Sequence, residues 1–321
     1  MDKEKEKILI IKTGYSEILH LDSKNHSRDV SFGDILRTTP LLHLYKNDDV
    51  TWVTDEKAFP LLEGNPYINR LLPFDWITSE QLKKERFDIL INLEKTPGVC
   101  VISDSIYSRK RFGFTFDPEK RKAEAYDKSY EVLAVSSDIQ AKKNNLKTAQ
   151  ELLFEMVGSK WQGEEYILGY IPKTQEIYDI GLNTIIGKKW PTKIWPSQNW
   201  DKLKTLLENS NLKVSRQDEQ HPEILRNLYK YIDWINSCKL IISSDSLGMH
   251  LAIALKKKVL GLFGPTPYKE AHFYNKGKVI LPEPIPDCMP CFEGACSRGK
   301  TCMTEISPEK VHEEIEKLIN L

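Results

Sequence analysis

Ile241-Ile-Ser-Ser-Asp-Ser-Leu-Gly-Met-His-Leu-Ala-Ile-Ala-Leu255, followed closely by Val259-Leu-Gly-Leu-Phe-Gly-Pro-Thr266, reads as strand, turn, helix and strand. An apolar strand that ends in small polar residues and opens a helix leaves unpaired amides at the carboxyl edge of a sheet, a ready site for an anion. A diphosphate fits such a site. Gly248 allows a close backbone approach, and the turn Gly264-Pro-Thr266 ends the neighbouring strand on the same edge. The alternative is a plain βαβ unit in which Asp245 caps the helix and His250 packs beneath it as a hydrogen-bonded core residue.

Outward from this stretch the same alternation continues. A second α/β series starts near Asp179-Ile-Gly-Leu-Asn183, passes through a helix around Trp200–Asn209 and the strand Leu240–Ser243, and reaches the strand Val259–Phe263. An earlier series comprises Ile8–Ile11, a helical run Ile35–Tyr45, Val50–Val53 and Phe87–Leu93. Both predict a mostly parallel sheet. The mixed stretch Ala123–Lys173 is read as holding the linker, which divides the chain into domains 1–173 and 174–321. Ile306-Ser-Pro-Glu-Lys310, followed by Val311, Ile315, Leu318 and Ile319, predicts a closing amphipathic helix.

With 321 residues the chain is long enough for about two domains. Forty-six basic and 46 acidic side chains balance, which argues against nucleic acid or another polyanion as partner. The start alternates charge before Ile8-Leu-Ile-Ile11, too short for a signal peptide's apolar core, and no run approaches the roughly 20 apolar residues of a spanning helix. The expectation is a cytoplasmic protein with at most peripheral contact at the inner face of the cytoplasmic membrane.

Three further segments can carry chemistry. In Ser31-Phe-Gly-Asp-Ile-Leu-Arg-Thr-Thr-Pro-Leu-Leu42 a carboxylate stands at a helix start, where dipole and free amides keep it ionised. Asp34 is thus a candidate general base or an ordinary helix cap. Lys188-Lys-Trp-Pro-Thr-Lys-Ile-Trp-Pro-Ser-Gln-Asn-Trp200 reads as a stiff loop whose lysine can meet a phosphate, or as a solvated basic loop. Cys288, Cys291, Cys296 and Cys302, with gaps of two, four and five, match thiolates wrapping one structural zinc or iron; the alternative is a reduced set of small buried hydrophobes. Cys100 and Cys238 sit in apolar surroundings and read as core filler.

Taken together, these segments resemble glycosyltransferase family 9, the bacterial heptosyltransferases of the lipopolysaccharide inner core. Ser31–Pro40 looks like the family's Gly-Asp segment and Leu62-Glu-Gly-Asn-Pro66 like its Asn-Pro turn. Lys193-Ile-Trp-Pro196 with Trp200 is similar to its lysine-tryptophan-proline loop, and Asp245-Ser-Leu-Gly-Met-His250 with Phe263-Gly-Pro-Thr266 resembles its donor signature. The cysteine segment is also found in many members.

The resemblance implies a GT-B fold of two Rossmann-like domains facing a central cleft, inversion at the anomeric carbon, and no cofactor for catalysis. It makes Asp34 the base and Lys193 a donor-phosphate contact. Ser246, Leu247, Gly248 and His250 would line the phosphate site, Asp245 would hold the sugar or ribose, and Gly264 and Thr266 complete the donor-binding edge. The partners implied are a nucleotide-sugar donor, ADP-heptose favoured, and a glycan or glycolipid acceptor. Two departures stand out. Tyr15–Val30 intervenes between the first strand and the Gly-Asp segment, on the acceptor side, and Leu212-Lys-Val-Ser-Arg-Gln217 lacks the family's glycine-rich turn near the nucleotide. Other classes remain: a nucleotide-sugar epimerase of related fold, which would need no acceptor, and a noncatalytic nucleotide- or metal-binding protein.

Overall fold

A computed structural model describes residues 4–15, 30–187, 190–220 and 227–319. The chain forms two compact units, Met1–Tyr170 and Ile171–Leu321. Most of the Tyr15–Val30 insertion, and Lys188 and Lys189 of the basic loop, lie outside the described residues.

The first unit is built on a six-stranded sheet in the order β3-β2-β1-β4-β5-β6. Its strands are β1 (Lys7–Ile11), β2 (Asp49–Thr54), β3 (Arg70–Pro73), β4 (Arg86–Asn92), β5 (Tyr107–Asp117) and β6 (Lys122–Ala125). All neighbours pair in parallel except the β5–β6 hairpin at one edge. Ile8, Leu9, Ile10 and Ile11 are all at most 1% exposed, as expected of a central parallel strand covered on both faces. The helices are α1 (Phe32–Leu36), α2 (Phe59–Leu62), α3 (Trp76–Leu82), α4 (Pro97–Ser105), α5 (Tyr130–Ser137), α6 (Ile139–Asn144) and α7 (Ala149–Met156). The last starts with a capping box between Thr148 and Glu151.

One expectation fails here for a local reason. The helical run Ile35–Tyr45 is broken: α1 stops at Leu36, and Thr39–Tyr45 is a 3₁₀ turn. Pro40 has no N–H to continue the ladder, and the Thr38 and Thr39 hydroxyls donate back to the carbonyls of Ile35 and Leu36, both at 2.7 Å. The stretch Ala123–Lys173 holds three helices, α5 to α7, and the division between the two compact units, after Tyr170, falls within it.

The second unit has a five-stranded parallel sheet in the order β11-β10-β9-β7-β8. These are β7 (Tyr178–Asn183), β8 (Val214–Arg216), β9 (Cys238–Ser244), β10 (Lys258–Leu262) and β11 (Gly277–Ile280), with α8 (Ser197–Asn209), α9 (Gln217–Gln220), α10 (Leu228–Asn236), α11 (Leu247–Ala254) and α12 (Pro308–Ile319). One core joins Ile180, Leu182, Ile242 and Leu260 from the sheet to Trp200, Leu203 and Leu207 from α8 and Val311 and Ile315 from α12. The chain order makes β7 and β9 neighbours whose onward connections diverge, and ligands of open α/β sheets bind beyond the strand ends at such a point. In the first unit β1 and β4 hold the corresponding position. No helix among the described residues is long and apolar enough to cross a membrane.

Candidate active site

At the carboxyl edge of the second unit, β9 runs out through Ser243 and Ser244 into Asp245 and the start of α11. Asp245 does not cap that helix; the N-cap position belongs to Ser246. The Asp245 carboxylate instead receives the Lys193 ammonium, with Nζ 2.9 Å from Oδ2 and 3.2 Å from the Asp245 carbonyl. His250, one turn into α11, brings Nε2 to 3.9 Å from Asp245 Oδ1. Burial alone would push the Asp245 carboxyl up; Lys193, His250 and Thr266 more than offset this and hold it at about 2. The carboxylate is therefore ionised across the physiological range.

Two indoles put Lys193 in place. Trp195 and Trp200 are 1% and 2% exposed and meet edge to face at 4.7 Å, and Trp195 Nε1 donates to the Ile306 carbonyl at 3.0 Å. The 3₁₀ turn Pro191–Lys193 stands directly before this anchor. The described part of the loop, residues 190–200, is thus stapled to the core and carries Lys193. Gly264 and Thr266 follow β10, the neighbour of β9, on the same edge. Gly264 serves packing: a Cβ there would lie 2.7 Å from Cys302 Sγ and Met303 Sδ.

In the first unit Asp34 lies inside α1, whose N-cap position is Ser31, so it is not the cap. Its carboxylate accepts from Arg37 Nε at 3.0 Å. The loop that carries it is fastened to the sheet: the Gly14 N–H donates to Glu94 Oε1 at 2.7 Å, and the Ser31 N–H donates to the Gly14 carbonyl at 3.0 Å. Glu94 follows β4, is fully buried, and pairs with Lys12 at 3.1 Å. The neighbouring Lys95 is pulled down to about 8 by burial and by Lys142 and Lys12, with Asp34 and Glu94 acting in the opposite sense.

Sequence reading missed Lys12, Glu94, Lys95, Asn183 and Tyr231. Four of the five stand at or just beyond the end of an apolar run, Ile8–Ile11, Phe87–Leu93 or Asp179–Asn183, and that placement was the available signal. Tyr231 gave none, because its role comes from a contact 48 residues away.

A metal-holding arrangement of Cys288, Cys291, Cys296 and Cys302 is not shown. Among the described residues no group of three or more His, Cys, Asp or Glu side chains stands ready for a metal ion. Cys302 is committed to packing under Gly264, and burial, with the three other cysteines nearby, raises its thiol to about 11. Cys296 Sγ donates to the Lys300 carbonyl at 3.3 Å. The segment also braces the carboxyl edge of the second sheet: Thr192 Oγ1 donates to the Glu293 carbonyl at 2.7 Å, and the Phe292 N–H donates to the Pro265 carbonyl at 2.9 Å. Cys100 and Cys238, both fully buried with thiols raised to about 12, are the core residues their surroundings implied.

Residues 77–302 match the sequence profile of glycosyltransferase family 9 (heptosyltransferase), about two thirds of the chain. The chain belongs to glycosyltransferase family 9. The family match takes in Lys193, Asp245–His250, Gly264–Thr266 and the cysteine segment, and begins downstream of Asp34. Lipooligosaccharide heptosyltransferase 2 of Campylobacter jejuni subsp. jejuni serotype O:6 is 37% identical over 82 residues, 25% of this chain and 26% of that protein, so the chain matches about a quarter of that relative's length. Lipopolysaccharide heptosyltransferase 1 of Campylobacter coli is 24% identical over 297 residues, covering 78% of this chain and 86% of that protein. The structure of E. coli heptosyltransferase WaaC with ADP superimposes with a TM-score of 0.62 at 16% identity, over 97% of this chain and 99% of that one. The family 9 chain thus has the GT-B type of fold, two Rossmann-like α/β units.

Proposed function

We propose that this protein is an inverting glycosyltransferase that moves a sugar, heptose in the favoured case, from a nucleoside diphosphate to a hydroxyl of a lipopolysaccharide core or other glycan. The observation that carries the reading is the buried-edge pair Lys193–Asp245 beside the open start of α11, at the divergence of β7 and β9. A leaving diphosphate gains charge as the sugar–oxygen bond breaks. Fixed amides and an ammonium meet that charge without reorganising, which is where such groups contribute most to rate. Asp34 would take the acceptor's proton, and Asp245 would fix Lys193 and reach the sugar or ribose. ADP-heptose is the favoured donor, in line with the names of the relatives and the ADP of the WaaC structure. The reading requires no cofactor for catalysis and places the enzyme in the cytoplasm, at most peripheral to the membrane.

The test is incubation with ADP-heptose, with and without heptose-free lipopolysaccharide core acceptors, followed by mass analysis of both substrates. Acceptor gaining one heptose, with ADP released in equal amount, is the expected result. An isomerised donor formed without acceptor would instead identify an epimerase, and donor binding without turnover would leave a binding protein.

A further inference from the structure

Helix α11 begins at a serine that does not cap it. Ser246 occupies the N-cap position in extended conformation, φ −154° and ψ 176°, where a serine hydroxyl ordinarily accepts from the N–H two or three residues on. It makes no such bond. Its Oγ instead accepts from Asn183 Nδ2 at 3.1 Å and lies 3.0 Å from Ser243 Oγ. Asn183 sits at the end of β7, fully buried and directly opposite Ser243 in the β7–β9 register. Its carboxamide is fixed at both ends, because Nδ2 also donates to Ser243 Oγ at 2.9 Å and the Tyr231 hydroxyl donates to Oδ1. The helix start is pressed onto this group: a Cβ on Gly248 would stand 2.5 Å from Asn183 Cγ, Asn183 Oδ1 and the Tyr231 hydroxyl.

The consequence lies in the first amides of α11. The N–H groups of Met249 and His250 bond to the Ser246 carbonyl at 3.1 and 3.3 Å, whereas those of Leu247 and Gly248 have no acceptor among the described residues. A free serine hydroxyl would compete for the Gly248 amide, two residues on.

We propose that Asn183 is the positioning residue of the donor site: it draws the Ser246 hydroxyl aside and so keeps the Gly248 amide open, beside that of Leu247, for the donor's phosphate oxygens. This rests on the donor reading given above. Removal of the carboxamide releases Ser246 to cap its own helix, and the ligand then competes with an internal hydrogen bond.

The test is ADP binding by calorimetry to wild type, Asn183→Ala, Ser246→Ala and the double variant. Asn183→Ala is expected to weaken ADP about five- to tenfold, the worth of one N-cap bond. The double variant, which has no hydroxyl left to swing in, should bind ADP more tightly than Asn183→Ala alone. A residue that only supports the fold gives the opposite order, with the double variant as weak as Asn183→Ala or weaker, and that result overturns the proposal. So does an unchanged affinity in Asn183→Ala. Asn183→Ser, which leaves a smaller cavity, gives the same comparison should the alanine variant fail to fold. Wild-type protein that binds neither ADP nor UDP would overturn the donor reading itself, a result distinct from either outcome above.

Discussion

In the first unit Asp34 lies close enough to Lys95 for its carboxylate to act on the ammonium. Asp34 faces Arg37 across 3.0 Å and is not the helix cap, so Asp34→Asn keeps the shape of the turn and loses the partly exposed ion pair with Arg37. Such pairs contribute about 1 kcal/mol or less, so folding should be almost unaffected. A general base acts in the transition state, so transfer should fall on the order of a hundredfold or more while ADP affinity stays within experimental error. Calorimetry and a transfer assay separate the two quantities, and wild-type turnover would remove Asp34 from the mechanism. Lys95 is depressed to about 8, below the roughly 10.4 of an unfolded lysine. Folding therefore disfavours its charged form, a cost present in full below pH 8 and relieved as pH rises from 8 towards 10.4. Lys95→Met should gain stability relative to wild type at pH 7, and the gap should narrow across that window. Urea unfolding at a series of pH values checks it; a gap independent of pH would contradict the assigned environment.

At the scale of elements, the tryptophan staple is where stability and ligand binding meet. Trp195→Ala empties a fully buried site and frees the Ile306 carbonyl, so it should cost about 3–5 kcal/mol. Lys193, two residues earlier, loses its support, and ADP should bind more weakly even in protein that remains folded. Denaturant unfolding with ADP titration below the midpoint reads both, and intact affinity would show that the turn holds Lys193 unaided. Elements such as β1, β4, β7, β9 and α11 were legible because each is an apolar run with polar ends, a pattern local enough to survive without tertiary context. The break in α1 hinged on hydroxyl groups bonding back to the chain, a competition that apolar spacing does not register. The cysteine gaps match a ligand spacing, whereas the packing of Cys302 under Gly264, a contact 38 residues away, is one that spacing does not register. Lys193 and Asp245 were each legible as motif residues, whereas Asn183 was not, since its importance lies in partners 48 to 63 residues along the chain.

For the whole molecule, the proposed donor residues fall in one unit and the candidate base in the other. ADP should therefore protect amides of residues 171–321 from hydrogen exchange, centred on α11 and the Lys193 turn, with little direct protection at α1. At about a hundred times its Kd, ADP should add about 2.7 kcal/mol and raise the melting temperature by several degrees. Protection centred on the first unit would reverse the assignment of donor and acceptor sides. The core of the second unit carries a further implication for how the protein is made. Met303, Ile306, Val311 and Ile315 complete the cover over Ile180, Leu182 and Trp200. On the ribosome, the first unit can close while the rest is still being translated, but the second sheet keeps a bare apolar face until residues 303–315 have left the exit tunnel. Nascent chains stalled before that point should recruit holdase chaperones, and those released beyond it should not.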